Sequence, residues 1–189
     1  IGNHNIQNAL ATIATGIELK IPLTKIKYTL KNFTGVQRRF QKVGNFKDTK
    51  IIDDYGHHPV EINSALAAAR LLAPKNKIIS IFQPHRYTRL RDLFDEFCRS
   101  FNEADQVIIL DVYGAGEKPI DNFESINLES GLTNYGHKNV LYIKDKNLLA
   151  KKLIKLIQPN DLIICLGAGS ITKIANNLEE ELKNEDRYI

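Results

Sequence analysis

The stretch Lys50-Ile-Ile-Asp-Asp-Tyr-Gly-His-His-Pro59 places two carboxylates, a phenol and two imidazoles directly behind an apolar pair. Several chemistries are open to such a set. Asp53, Asp54, His57 and His58 are all metal-ligating types. His57 alone could act as a general acid or base, since imidazole titrates near neutrality. Tyr55 and His57 could hydrogen-bond a substrate. The bland alternative is a polar turn, with Gly56 in the turn, His58 as a helix cap and Pro59 as the first helical residue. Two neighbouring histidines in an extended turn diverge, and no further cluster at ligand spacing joins them. A turn by itself does not account for Asp54, Tyr55 and His57 together.

Three other segments carry similar chemistry. They are Gln83-Pro-His-Arg-Tyr-Thr-Arg-Leu-Arg91, Asp111-Val-Tyr-Gly-Ala-Gly-Glu-Lys-Pro119 and Cys165-Leu-Gly-Ala-Gly-Ser-Ile-Thr-Lys173. Arg86 and Arg89, three apart at a helix start, can point the same way and suit bidentate capture of a carboxylate. Cations there oppose the helix dipole. Something anionic must compensate, either a ligand or an internal acid such as Asp92. Gly167-Ala-Gly-Ser170 opens a helix, so its backbone N–H groups could hold an anion. It is no dinucleotide fingerprint, because Thr172 stands where the third glycine would be, and no G-x-x-x-x-G-K-[ST] phosphate loop occurs in the chain.

The elements that must position these groups follow from periodicity. Ile6, Leu10, Ile13, Ala14 and Ile17 recur at helical spacing over residues 3–19. A second short helix is expected over 23–33, ended near Gly35. Arg38 to Asp54 reads as strand, turn and strand, with the turn at Gly44-Asn45. Helices are then expected over 59–72, 88–101, 147–157 and 170–183, the last capped by Ser170. Strands are expected over 77–82, 106–112, 139–143 and 162–166, and a mixed loop over 113–138. Short apolar strands alternating with amphipathic helices predict an α/β fold, a mostly parallel sheet with helices on both faces, preceded by a short helical segment. In such a sheet ligands bind beyond the carboxyl ends of the strands, and each of the four polar segments follows a strand.

Bulk properties narrow the class. The 189 residues are 43% hydrophobic and 25% charged, with a net charge of +4, in the ordinary range for a globular chain. No run of five or six like charges and no aromatic platform supports a nucleic-acid surface. No window approaches the ~20 apolar residues of a membrane span. No signal peptide is expected, and Cys98 and Cys165 fall in apolar patterns that suit buried free thiols. A reducing, cytoplasmic setting is expected. The start at Ile1 rather than Met suggests a piece of a longer protein.

Six motifs in order carry a family resemblance: Gly2-Asn-His-Asn-Ile-Gln-Asn8, Phe33-Thr-Gly-Val-Gln-Arg-Arg-Phe-Gln41, Asp53-Asp-Tyr-Gly-His-His-Pro59, Phe82-Gln-Pro-His-Arg-Tyr-Thr-Arg89, Asp111-Val-Tyr-Gly-Ala-Gly-Glu117 and Gly167-Ala-Gly-Ser-Ile-Thr-Lys173. Together they resemble the C-terminal part of the Mur ligases, in the branch that joins L-alanine to UDP-N-acetylmuramate with ATP and Mg2+ during peptidoglycan precursor synthesis. The resemblance implies that residues 1–35 are the tail and hinge of a central ATPase domain, and 36–189 a Rossmann-like C-terminal domain. It implies ATP contacts at Asn5, Asn8, Arg39 and Asp54, and substrate contacts at Tyr55, His57, Arg86 and Arg89. Gly167, Ala168, Gly169 and Ser170 would be a possible anion-contacting loop. No catalytic residue is assigned with certainty, no metal ligand is assigned here, and Mg2+ ligands are expected mainly upstream. The partners implied are the substrates and the rest of the same polypeptide, with neither nucleic acid nor membrane. The piece alone is expected to be inactive. The alternatives are a ligase that reattaches a recycled tripeptide to the same sugar, and a stand-alone nucleotide- or anion-binding module.

Overall fold

Runs such as Ile78-Ile-Ser-Ile-Phe82 and Leu162-Ile-Ile-Cys-Leu166 can be buried on both faces only inside a sheet that is covered on both sides, and the computed structural model provides one. It describes residues 3–33 and 35–187. The start at Ile1, Gly2 of the first motif and Thr34 of the second lie outside the described residues. Two compact units are present, 1–37 and 38–189. The first holds helices α1 (Asn3–Glu18) and α2 (Leu23–Asn32).

The second unit holds six strands and the remaining helices. Its order is β1 (Gln41–Phe46), β2 (Thr49–Asp54), α3 (Pro59–Leu72), β3 (Ile78–Phe82), α4 (Tyr87–Asp92), α5 (Phe94–Cys98), β4 (Gln106–Leu110), α6 (Ser125–Asn134), β5 (Val140–Ile143), α7 (Leu149–Leu153), β6 (Leu162–Leu166) and α8 (Ile171–Asp186). The strands lie in the order β1-β2-β6-β3-β4-β5. Among the described residues only β1 is antiparallel to its neighbour; β2 to β5 run parallel through β6.

Each face has its own core. On one, Ile62, Leu66, Phe97, Phe101, Leu128 and Leu132 lie over Ile52, Phe82, Ile109 and Ile164. On the other, Leu149 and Leu153 join Ile171, Ala175, Leu178 and Leu182, which recur at helical spacing along α8 and cover Ile51, Ile79, Ile81, Ile108 and Ile163. Cys98 and Cys165 are buried free thiols. Burial, above all, pushes the Cys98 thiol up to about 11.

The structure corrects several sequence expectations. The first hairpin turns at Lys47-Asp48, both at positive φ (46° and 64°), the backbone of a two-residue hairpin loop. Gly44 lies inside β1, where the register shifts between Lys42 and Gly44, so this glycine marks a bulge. The helix expected over 88–101 breaks at Leu93 (φ −122°, ψ 27°) into α4 and α5, although Leu93 N still donates to Arg89 O and Phe97 N to Leu93 O. The region 113–138 contains α6. The helix expected over 147–157 is the short α7, preceded by a 3-10 turn at Lys146–Leu148.

Phe101 is fully buried, with its ring 5.3 Å from that of Phe82. Phe101→Ala is expected to lower stability by about 3–5 kcal/mol, read as a lower urea midpoint with an unchanged m-value.

Candidate functional site at the carboxyl edge of the sheet

The ladder sets the height at which each loop leaves the sheet. Asp54 pairs with Leu166, Leu166 with Phe82, and Phe82 with Ile109. The segments starting at Tyr55, Gly167, Gln83 and Asp111 therefore emerge along one edge. Beyond β3 the chain turns to the α4–α5 face, and beyond β6 to the α8 face. Adjacent strands whose connections diverge in this way open a crevice between them.

That crevice is spanned by Gln83. Its N–H donates to Leu166 O (3.0 Å), its Oε1 accepts from Ile171 N (3.0 Å), and its Nε2 donates to Ser170 Oγ (3.2 Å). The expectation that Ser170 caps α8 through its side chain is corrected: the hydroxyl pairs with Gln83, and the Gln83 amide oxygen caps the helix from another strand. Close packing explains the glycines. A Cβ on Gly167, at φ +148°, would lie 2.8 Å from Gln83 O, and one on Gly169 would lie 2.6 Å from the Tyr113 ring. Of the donors that Gly167–Ser170 and the first turn of α8 could offer an anion, Ile171 N is already engaged, and Gly167 N donates to Asp54 O (3.2 Å).

The two acids of the opening stretch diverge because successive side chains on a strand face opposite ways. Asp53 accepts from Thr172 Oγ1 of α8 (2.5 Å) and lies 3.8 Å from Arg38 Nε. Asp54 accepts from Phe40 N (2.8 Å) and Gly56 N (2.7 Å), one on each oxygen. Asp53, Asp54, His57 and His58 thus do not converge on one point. Burial raises the Asp54 pKa, against those two N–H bonds and Arg39. A carboxylate oxygen has a second lone pair, so these bonds leave room for a further donor.

His58 caps α3: its Nδ1 accepts from Val60 N (3.4 Å), and Glu61 reaches back to His58 N (3.2 Å) and His57 N (3.0 Å). Pro59 is the first residue of the helix. His57 is held by its Nδ1 at 2.9 Å from Tyr55 O and 3.4 Å from Glu61 Oε2. Its ring lies 5.1 Å from Tyr55 and 5.9 Å from His85. His85 stacks on Tyr113 (5.4 Å).

Arg86 and Arg89 have different partners. Arg86, at φ +72°, pairs with Glu117 (3.3 Å); Glu117 also accepts from Thr88 N (3.0 Å) and Thr88 Oγ1 (2.8 Å). The internal acid facing Arg86 is therefore Glu117, while Asp92 pairs with Arg91 (2.7 Å). Arg89 folds back so that its NH1 donates to His85 O (3.1 Å) and lies 3.2 Å from His85 Nδ1. Arg39 is exposed, with its guanidinium 5.6 Å from the Tyr55 ring centre. Asn5 and Asn8 lie exposed on α1 of the first unit, and Asn8 O accepts from Thr12 Oγ1 (2.9 Å).

The second unit thus gathers Arg39, Asp54, Tyr55, His57, Arg86 and Arg89 onto one edge, along with Gly167 to Ser170. Sequence reasoning missed Arg38, Gln83, His85, Tyr113 and Glu117. Each stands inside a motif already singled out, so its signal was membership of that motif, without a partner that spacing could name. Among the described residues no three His, Cys, Asp or Glu side chains form a group able to hold a metal ion.

His85 titrates below the ordinary histidine range, first because of its burial and then because of Arg89, His57 and Arg86. The folded state therefore resists protonation. The stability His85 contributes is present above the ordinary range of about 6.5 and is lost as pH falls through the lower folded value. Arg89→Ala is expected to move the His85 midpoint upward in an NMR titration of its ring. Asp54→Asn turns an amide NH2 toward one of two backbone donors and is expected to cost about 1–3 kcal/mol in thermal or urea unfolding.

Residues 38–169 match the model of the "Mur ligase, glutamate ligase domain" family. A UDP-N-acetylmuramate–L-alanine ligase of Parvibaculum lavamentivorans is 50% identical over 181 residues, 96% of this chain and 37% of that protein. The solved UDP-N-acetylmuramate–alanine ligase of Thermotoga maritima superposes with a TM-score of 0.78 at 29% identity, over 97% of this chain and 39% of that one. A murein peptide ligase of Psychrobacter arcticus superposes with a TM-score of 0.68 at 20% identity, over 97% and 38%; at that identity only the fold is shared. The chain spans little more than a third of the length of these relatives. With most of its length matched by the family model and its α/β sheet shared with the solved relatives, the chain belongs to the Mur ligase family.

Proposed function

We propose that this chain is the C-terminal, cleft-closing part of an ATP-dependent, cytoplasmic ligase that joins L-alanine to UDP-N-acetylmuramate. Residues 1–35 would be the tail of the central ATPase domain and residues 36–189 the C-terminal domain. The observation that carries this reading is the 50% identity to an L-alanine ligase over 96% of the chain, with all four polar loops falling on one sheet edge.

The chemistry is two displacements. A carboxylate oxygen of the muramic acid attacks the γ-phosphorus of ATP and ADP leaves, giving an acyl phosphate. The amino group of L-alanine then attacks the acyl carbon, phosphate leaves, and the nitrogen gives up a proton to form the amide. Little of this needs a side chain to share covalent bonds, so catalysis is positioning and charge stabilisation. Arg39 would reach the phosphates, Asp54 the ribose, and Asn5 and Asn8 the adenine. Tyr55, His57, Arg86 and Arg89 would hold the alanine and the reacting end of the sugar, with Gly167 to Ser170 beside them. Mg2+ would neutralise phosphate charge; no cluster among the described residues fits it. Because Asp54 and Tyr55 are adjacent, nucleotide and amino acid would meet across one loop, and domain closure would assemble the site.

The test is phosphate release by the full-length protein with ATP, Mg2+ and UDP-N-acetylmuramate. Release is expected with L-alanine and not with a murein tripeptide. Losing a charge-assisted bond costs about 1.5–3 kcal/mol, so Arg89→Ala is expected to raise KM for alanine by roughly ten- to a hundredfold. Release with tripeptide alone would assign the chain to the recycling ligases, and release with neither would remove the ligase reading. The 189-residue chain by itself is expected to hydrolyse no ATP.

A further inference from the structure

Arg38 and Asp53 have no part in the reading above, yet their side chains are more deeply buried than those of Arg86 and Glu117, the other arginine–carboxylate pair described at this edge. Asp53 is 1% exposed on β2. It sits opposite Cys165 on β6 in the ladder and faces the apolar α8 side of the sheet. Its Oδ2 accepts from Thr172 Oγ1 and lies 3.8 Å from Arg38 Nε. Its Oδ1 and the Arg38 Nε are both buried without a hydrogen-bond partner among the described residues. Desolvating two charges with incomplete pairing is costly, and such a pair is poor evidence of a stabilising contact. Its use must lie in the geometry it enforces.

That geometry is specific. The Arg38 guanidinium donates from NH2 to Gly167 O (2.6 Å) and lies 4.7 Å from the centre of the Tyr55 ring. Its backbone is as constrained. Arg38 O accepts from Tyr55 N (2.7 Å), and Arg38 N donates to Gln41 Oε1 (2.9 Å). Arg38 and Phe40 both stand at positive φ (59° and 50°), a strained conformation for residues with side chains. Left-handed backbone on either side turns Arg39 outward, with its guanidinium on the same Tyr55 ring. One side chain thus ties the segment before β1 to the loop beyond β2, the loop beyond β6 and, through Asp53, the first turn of α8.

We propose that Arg38, fixed by Asp53, is a positioning residue that holds the strained turn at 38–40 so that Arg39 and Tyr55 are presented together to the nucleotide and the amino acid. The role rests on the ligase reading, and the tests separate the two. Only a planar fork can reach Gly167 O and Asp53 while stacking on Tyr55, so Arg38→Lys keeps the charge and loses the latch. In the 189-residue chain, Arg38→Lys and Asp53→Asn are expected to speed hydrogen exchange at Tyr55 N and Phe40 N by about tenfold or more, with the sheet amides unchanged. In the full-length protein both variants are expected to raise KM for ATP by about tenfold. Lys47→Ala, at the exposed pair with Asp186, serves as control and should leave both readouts unchanged.

Exchange unchanged at Tyr55 and Phe40 overturns the latch. Faster exchange with an unshifted KM overturns the positioning role and leaves a structural one. Faster exchange with a raised KM supports the proposal. Wild-type full-length protein that releases no phosphate with either amine overturns the ligase reading and the role with it, while the exchange data still report on the latch.

Discussion

Everything at the candidate site depends on β6 pairing in parallel with both β2 and β3. Because those two ladders share β6, Asp54, Leu166 and Phe82 stand level, and three loops leave the sheet at one height. A shift by one residue in either ladder would turn every core side chain of that strand to the opposite face. The two separate apolar cores therefore lock the register. Hydrophobic burial far from the edge fixes which polar groups can meet at it. Gln83 completes the arrangement by closing the seam between β3 and β6 with a backbone bond and two side-chain bonds.

The charges at the edge are largely balanced from within. Arg38 faces Asp53, and Arg86 faces Glu117. Arg89 is the exception in kind, since it is held by a carbonyl and by an imidazole whose burial favours the neutral form. An incoming carboxylate would compete with Glu117 for Arg86, whereas among the described residues no acid pairs with Arg89. The pair that sequence spacing suggested as a clamp is thus electrostatically uneven, and Arg89 is the one whose charge no ion pair takes up among the described residues.

Much of this was legible in the sequence. The apolar strands and the amphipathic stripe of α8 announced the α/β sheet, and strand ends pointed to the four loops. Failures occurred where local signals were ambiguous. Gly44-Asn45 has turn chemistry, yet the bulge took the glycine, and two residues with side chains, Lys47 and Asp48, made the turn. The helix α6 buries only Ser125, Leu128 and Leu132, a stripe too sparse to stand out among Ser, Asn, Thr and Gly. No Gly or Pro marks the break at Leu93. Partners such as Arg86 and Glu117, 31 residues apart, are set by topology, which one-dimensional spacing does not carry.

The adjacent acids show how a strand end can do two jobs. Period-two alternation sends Asp53 to the α8 side and Asp54 to the α3 side. Both then tether the segment that precedes β1, Asp53 through the Arg38 guanidinium and Asp54 through the Phe40 N–H. A strained turn held from both faces of the sheet cannot relax by rotating about one anchor. That explains why Arg39, between the two tethered residues, can remain exposed and still have a defined direction. The orientation of a surface cation over Tyr55 is in this sense a property of the sheet beneath it.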